Sequence, residues 1–200
     1  MRLICSDNDI ESQLQEIDIN TIKLDLSYNN LTKIPDIIDN LINLQQLYLD
    51  NNNLLQIPDT IKNLINLQIL YLENNKLTKI PDTIGNLINL QILNLYNNNL
   101  IKIPDTIGNL INLQRLWLHV NNLKKIPETI GNLINLQYLY LYYNNLKEIP
   151  LYIEKFKNKI YINYKSYNKN YFFKNKRIYI DQYSEYKYIK KPYNCSIIYL

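Results

Sequence analysis

Trp117, Tyr138, Tyr140, Tyr142 and Tyr143 crowd into one stretch of the chain, with Arg115 and His119 among them. The alternation Tyr138-Leu139-Tyr140-Leu141-Tyr142 sends tyrosines to one side of an extended chain and leucines to the other. Exposed Trp, Tyr and Arg are the residue types that dominate binding hot spots, so this set points to adhesion between molecules. Bond-making has few candidates. His119 is the single histidine, and no cysteine or carboxylate pair accompanies it at ligand spacing; metal sites need three or four convergent ligands. The hydroxyls of Ser27 and the nearby tyrosines lack an orienting base. Three glycines in 200 residues exclude glycine-rich phosphate loops, whose backbone must approach the ligand with no side chain in the way. No metal, no cofactor and no enzymatic activity are expected.

The elements that position these residues come from internal repetition. IPDTIGNLINLQ occurs at 80–91 and 103–114, and IPETIGNLINLQ at 126–137, each 23 residues after the last. Extending the register gives six units, which start at Thr21, Leu44, Leu67, Leu90, Leu113 and Leu136 and end at Asn158. The unit is L-x-x-L-x-L-x-x-N-x-L-x-x-I-P-x-x-I-x-x-L-x-N. Its fourth position runs Leu24, Leu47, Leu70, Leu93, Leu116, Leu139, and its sixth Leu26, Leu49, Leu72, Leu95, Leu118, Leu141. Its ninth is asparagine without exception: Asn29, Asn52, Asn75, Asn98, Asn121 and Asn144. Leucines two apart point to one face of a short strand, which cannot bury that face alone; parallel stacking of the units makes a continuous core. The ninth-position amide is expected to satisfy turn backbone in its own unit and the next. The returning limb, Pro-Asp-Thr-Ile-Gly-Asn in its commonest form, predicts one or two helical turns, with proline at the start and an acidic residue near the N-terminus. A helical limb is wider than a strand limb, so the stack curves with its strands on the concave side.

On these residues the chain resembles the leucine-rich repeat family. The form with Ile-Pro after the asparagine is similar to the 23-residue class of intracellular adaptor-type proteins of the Ras-pathway scaffold kind. The resemblance implies an α/β solenoid, a right-handed superhelix or horseshoe with short parallel strands on its concave face and short helical turns on its convex face. It further implies a non-enzymatic protein-interaction module that takes a protein partner on the concave face.

Positions 2, 3, 5, 7 and 8 of each unit are expected to face solvent there. Position 5 runs Asp25, Tyr48, Tyr71, Asn94, Trp117, Tyr140, and position 7 runs Ser27, Asp50, Glu73, Tyr96, His119, Tyr142. The face is acidic toward its N-terminal end and aromatic toward its C-terminal end. The candidate contact residues are Asp50, Tyr71, Glu73, Tyr96, Arg115, Trp117, His119, Tyr138, Tyr140 and Tyr142. The near-identical units differ mainly on this face while keeping convex residues such as Asn86, Asn109 and Asn132.

The rest of the chain sorts by composition. Residues 1–20 are expected to cap the stack, with Ile10, Leu14 and Ile17 on one helical face. Residues 159–200 leave the repeat; Ile160–Tyr164 is expected as a degenerate seventh strand, and Arg177–Asp181 and Ser196–Leu200 as further strand candidates. Charge divides within the sixth unit: residues 1–150 sum to −4 and residues 151–200 to +8. The Lys/Tyr mixture of 159–200 gives a second reading, nucleic acid, because lysines neutralise phosphates and tyrosines stack on bases. No apolar run reaches the length of a membrane span. The N-terminus turns polar too soon for a secretory signal, and Cys5 and Cys195 are the only cysteines. A cytoplasmic monomer with free thiols is the expectation.

Overall fold

A computed structural model describes Leu14, residues 17–147 and Ile153 with their side chains, together with the backbone of four short strands further on. Six three-residue strands recur at the repeat spacing: β1 (Lys23–Asp25), β2 (Gln46–Tyr48), β3 (Ile69–Tyr71), β4 (Ile92–Asn94), β5 (Arg115–Trp117) and β6 (Tyr138–Tyr140). Each pairs in parallel with the next, leucine against leucine, from Leu24↔Leu47 to Leu116↔Leu139. Equivalent positions therefore stack into columns along the sheet. The sheet continues through β7 (Lys159–Tyr161) and β8 (Ile178–Tyr179), while β9 (Ile189–Lys190) and β10 (Ser196–Ile197) form an antiparallel pair.

In β7 it is Ile160 that sits in register with Leu139, where the 23-residue spacing would put Ile162. Repeat spacing would put Lys159 in the column that Leu44, Leu67, Leu90, Leu113 and Leu136 fill with buried side chains; the sheet instead pairs Lys159 with Tyr138. The strand candidates Arg177–Asp181 and Ser196–Leu200 contain β8 and β10. Of the expected cap, Leu14 is buried and Ile17 packs against the core, while Ile10 lies outside the described residues.

Seven aliphatic columns fill the interior. In the third unit they are Leu67, Leu70, Leu72, Leu77, Ile80, Ile84 and Leu87, all buried. Each fully buried side chain of this kind stabilises by about 1.5–3 kcal/mol. In units one to five the return limb is one 3-10 turn of five residues, as at Asp36–Asn40 and Asp82–Asn86. Proline is not inside it: Pro81, for example, is the N-cap, with ψ 152°, and its carbonyl accepts the Ile84 N–H at 3.1 Å. Glycine has a steric reason here. A Cβ on Gly85 would lie 2.6 Å from the Thr106 carbonyl oxygen and 2.7 Å from the Thr106 Cβ, so neighbouring turns approach closely because Gly85 has no side chain.

The asparagine column ties coil to coil, in the direction opposite to the one expected. Asn52 Nδ2 donates to Leu49 O of its own unit and to Leu26 O of the preceding one, and its Oδ1 accepts from the Asn29 and Leu31 N–H groups of that preceding unit. Asn75, Asn98, Asn121 and Asn144 also reach back to the unit before them. Just before this column the backbone turns left-handed: Tyr28, Asn51, Asn74, Asn97, Val120 and Tyr143 have φ between 51° and 61°. Asparagine tolerates that region; a β-branched residue such as Val120 is strained there.

Candidate functional site

Because strand columns are in register, side chains of positions 5 and 7 from successive units meet on the strand face. Position 5 forms a run of rings: Tyr48 stacks on Tyr71 with centroids 5.2 Å apart, Tyr71 on Trp117 at 5.9 Å, and Trp117 leans on Tyr140 at 6.2 Å. The Tyr71–Trp117 contact skips a whole unit. It exists because position 5 of the unit between them is the small Asn94, which is buried, and the two rings close over that column. Asn94 Nδ2 donates to the Glu73 carboxylate, and its Oδ1 accepts the Tyr96 N–H at 3.0 Å.

Position 7 forms a second run. The His119 ring lies between Tyr96, at 4.3 Å, and Tyr142, at 4.2 Å, and touches Tyr140 at 5.6 Å. Tyr140 meets Tyr142 edge-on at 6.2 Å, and Tyr142 meets Tyr143 edge-on at 5.4 Å. The two runs thus merge at the C-terminal end into one aromatic wall. Arg115 lies over the Tyr138 ring at 5.5 Å, a cation–π arrangement.

Stacking has a consequence for what the wall can touch. Rings packed face to face along the stack cover each other's faces and offer edges, hydroxyls and the indole rim. They also hold one another's rotamers, so a partner would meet side chains already ordered.

Electrostatics follows from the same packing. Burial of the His119 ring pushes its pKa down to about 4, so the imidazole is neutral at pH 7. Its Nδ1 is buried and has no hydrogen-bond partner among the described residues. Burial raises the Glu73 carboxyl above the usual carboxylate range, and the adjacent Asp50 charge adds to the rise. Asp50 accepts from Asn51 Nδ2 at 2.8 Å. Burial likewise raises the Tyr71 hydroxyl, with Tyr48 and Glu73 contributing.

All ten candidate contact residues lie on this face, in or just after the strands. Tyr71, Tyr96, Trp117, His119, Tyr140 and Tyr142 are brought into ring contact, and Arg115 and Tyr138 pair beside them. Asp50 and Glu73 form an acidic patch toward the other end. Two positions expected at the surface are not there: Ser27 and Asn94 are buried. One feature of the same edge was missed in the sequence. Position 2 is glutamine in units two to six, and Gln68, Gln91, Gln114 and Gln137, with Asn89, Asn112 and Asn135, line an open groove of about 410 Å³. Reading that column across units would have found it. Among the described residues no group of three or more His, Cys, Asp or Glu could hold a metal ion, and no helix is long and apolar enough to cross a membrane.

Comparison with known proteins follows the same columns. A family model described as a leucine-rich repeat region matches residues 24–123, and a second, of two leucine-rich repeats, matches residues 111–158. No curated protein matches the chain. Among solved structures, a leucine-rich repeat protein of Leptospira interrogans is 28% identical at TM-score 0.44, the match covering 82% of this chain and 54% of that one. An internalin from Listeria monocytogenes is 24% identical at TM-score 0.60, covering 72% of this chain and 41% of that one. The chain spans about half the length of these two or less.

Proposed function

Because this chain belongs to the leucine-rich repeat family, we propose that it is a non-enzymatic interaction module whose strand face holds a protein partner. The observation that carries this reading is the wall of rings from Tyr48 to Tyr142, ordered by mutual stacking and set on a rigid sheet. Trp117, Tyr140 and Tyr142 act as apolar anchors, Arg115 as a polar contact, and Asp50 and Glu73 as acidic selectors at the far end. His119 serves chiefly as a spacer that holds Tyr96 and Tyr142 apart at stacking distance. The module works inside the cell, where Cys5 and Cys195 stay reduced.

The test is affinity capture from nuclease-treated lysate with wild type and with Trp117→Ala/Tyr140→Ala. A specific protein should be retained by wild type and lost at least tenfold in the variant, whose far-ultraviolet dichroism is unchanged. Retention undiminished by the double substitution would remove the strand face as the site. Capture that disappears with nuclease alone would favour nucleic-acid contact through residues 159–200.

A further inference from the structure

A row of isoleucines runs along the edge where each 3-10 turn gives way to the next strand. Ile19, Ile42, Ile65, Ile88, Ile111 and Ile134 recur at the repeat spacing and are 48–77% exposed. Nothing in the coil requires an apolar side chain there. The backbone at this position is already satisfied: the Ile65 N–H donates to Asn63 O at 2.9 Å, and the Ile65 carbonyl accepts Asn89 Nδ2 at 2.9 Å. The same acceptor role recurs at Ile42, Ile88 and Ile111. From Ile42 to Ile134 the row is flanked by exposed asparagines two residues before and one residue after each isoleucine, and by no charge at those positions. It is therefore a rigid, apolar stripe with a fixed period, with Asp39 and Lys62 beside it near Ile42 and Ile65.

We infer that two copies of this chain pair through the stripe, side by side about a two-fold axis with their solenoids antiparallel. Three features select this occupant. A surface with a coil-to-coil period is matched along its whole length only by another surface of the same period, and the chain itself carries one. An isologous contact sets isoleucine against isoleucine and asparagine against asparagine, with no like charges opposed. The area also suffices: half-exposed isoleucines contribute roughly 100 Å² each, so the six give roughly 600 Å² per copy and about 1,200 Å² for the pair. That is the lower end of the range for a specific interface. The dimer is accordingly concentration-dependent, and the edge location leaves the aromatic wall open.

Analytical ultracentrifugation of the full chain from about 1 to 200 µM tests this, spanning the affinities usual for interfaces of that size. Wild type should move from its 24.0 kDa monomer to a species of twice that mass as concentration rises. Ile88→Asn/Ile111→Asn should weaken the dimer at least tenfold, with unchanged dichroism because both sites are exposed; Ile65→Gln/Ile134→Gln gives an independent pair should the first misfold. Trp117→Ala/Tyr140→Ala should dimerise like wild type. A chain monomeric at every concentration, a dimer indifferent to the isoleucine substitutions, or one abolished by the aromatic pair overturns the inference. So does flotation of the monomer with phosphatidylcholine vesicles that the isoleucine variants lose, which would assign the stripe to lipid.

Discussion

Val120→Asn should make this protein more stable, although valine is the more apolar residue. Val120 occupies the turn column with φ 55°, where Asn51, Asn74 and Asn97 have φ 55°, 53° and 51°. Left-handed backbone costs an L-residue about 1–2 kcal/mol, and asparagine relieves much of that. The replacement also extends an existing ladder, in which Asn74 Nδ2 donates to Asn51 Oδ1 at 3.1 Å and Asn97 Nδ2 to Asn74 Oδ1 at 2.8 Å. A further rung is worth about 0.5 kcal/mol at such a site. Against this stands the loss of half-buried apolar contact, about 0.5–1 kcal/mol. The balance is about 1 kcal/mol of stabilisation, which raises the unfolding temperature of a chain this size by about 2–4 °C. Asn97→Val is the mirror experiment and should lower it by a similar amount or more, since it removes a rung and adds strain. Differential scanning calorimetry of both variants decides the matter. Were Val120→Asn to melt at or below wild type while Asn97→Val left the transition in place, the turn column would carry no strain and the reasoning would fail.

Three further outcomes follow from the same geometry. Asn98→Leu should destabilise by about 1–3 kcal/mol, because it leaves the buried Leu77 N–H without its acceptor and takes one of two amide donors from each of the Leu72 and Leu95 carbonyls; urea unfolding measures it, and a loss below about 0.5 kcal/mol would refute the bonding role. Gly85→Ala should cost about 1–3 kcal/mol, since the new methyl meets Thr106 backbone at 2.6 Å; an unshifted denaturation midpoint would mean the turns can separate freely. The His119 ring, folded, should titrate near 4 against an ordinary 6.5. The unfolded chain then binds the extra proton first, so stability is highest above pH 6.5 and falls as pH drops from there toward 4. One histidine gives one pair of ring carbon-bound proton signals in NMR, and a midpoint near 6.5 would contradict its burial between Tyr96 and Tyr142.

The scaffold was legible because its physics repeats. Leu-x-Leu, the ninth-position asparagine and Ile-Pro each state the same local requirement in every unit, so the strands, the core columns and the coil period follow from the pattern alone. The strand face was legible only as a set of residue types. That Tyr71 touches Trp117 depends on Asn94 being small and buried, a fact about side chains two strands apart that no periodicity encodes. The left-handed turn column was hidden because Tyr28, Val120 and Tyr143 interrupt the asparagines that would have marked it. Which way the ninth-position amide reaches is set by how one coil lies against its neighbour. The isoleucine row was in plain sight, but it looks like the seven buried aliphatic columns until burial separates it.

The backward reach of the asparagines gives the solenoid a direction. A coil is complete only when its successor has folded against it: the Leu26 carbonyl and the Leu31 N–H wait for Asn52, as the Leu54 N–H waits for Asn75. A chain emerging from the ribosome N-terminus first therefore always trails one unfinished loop, whose last bonds close when the next 23 residues arrive, about one to five seconds later at ordinary rates of synthesis. Growth of the structure is a ratchet: each new coil locks the one before it and leaves its own turn open for the next.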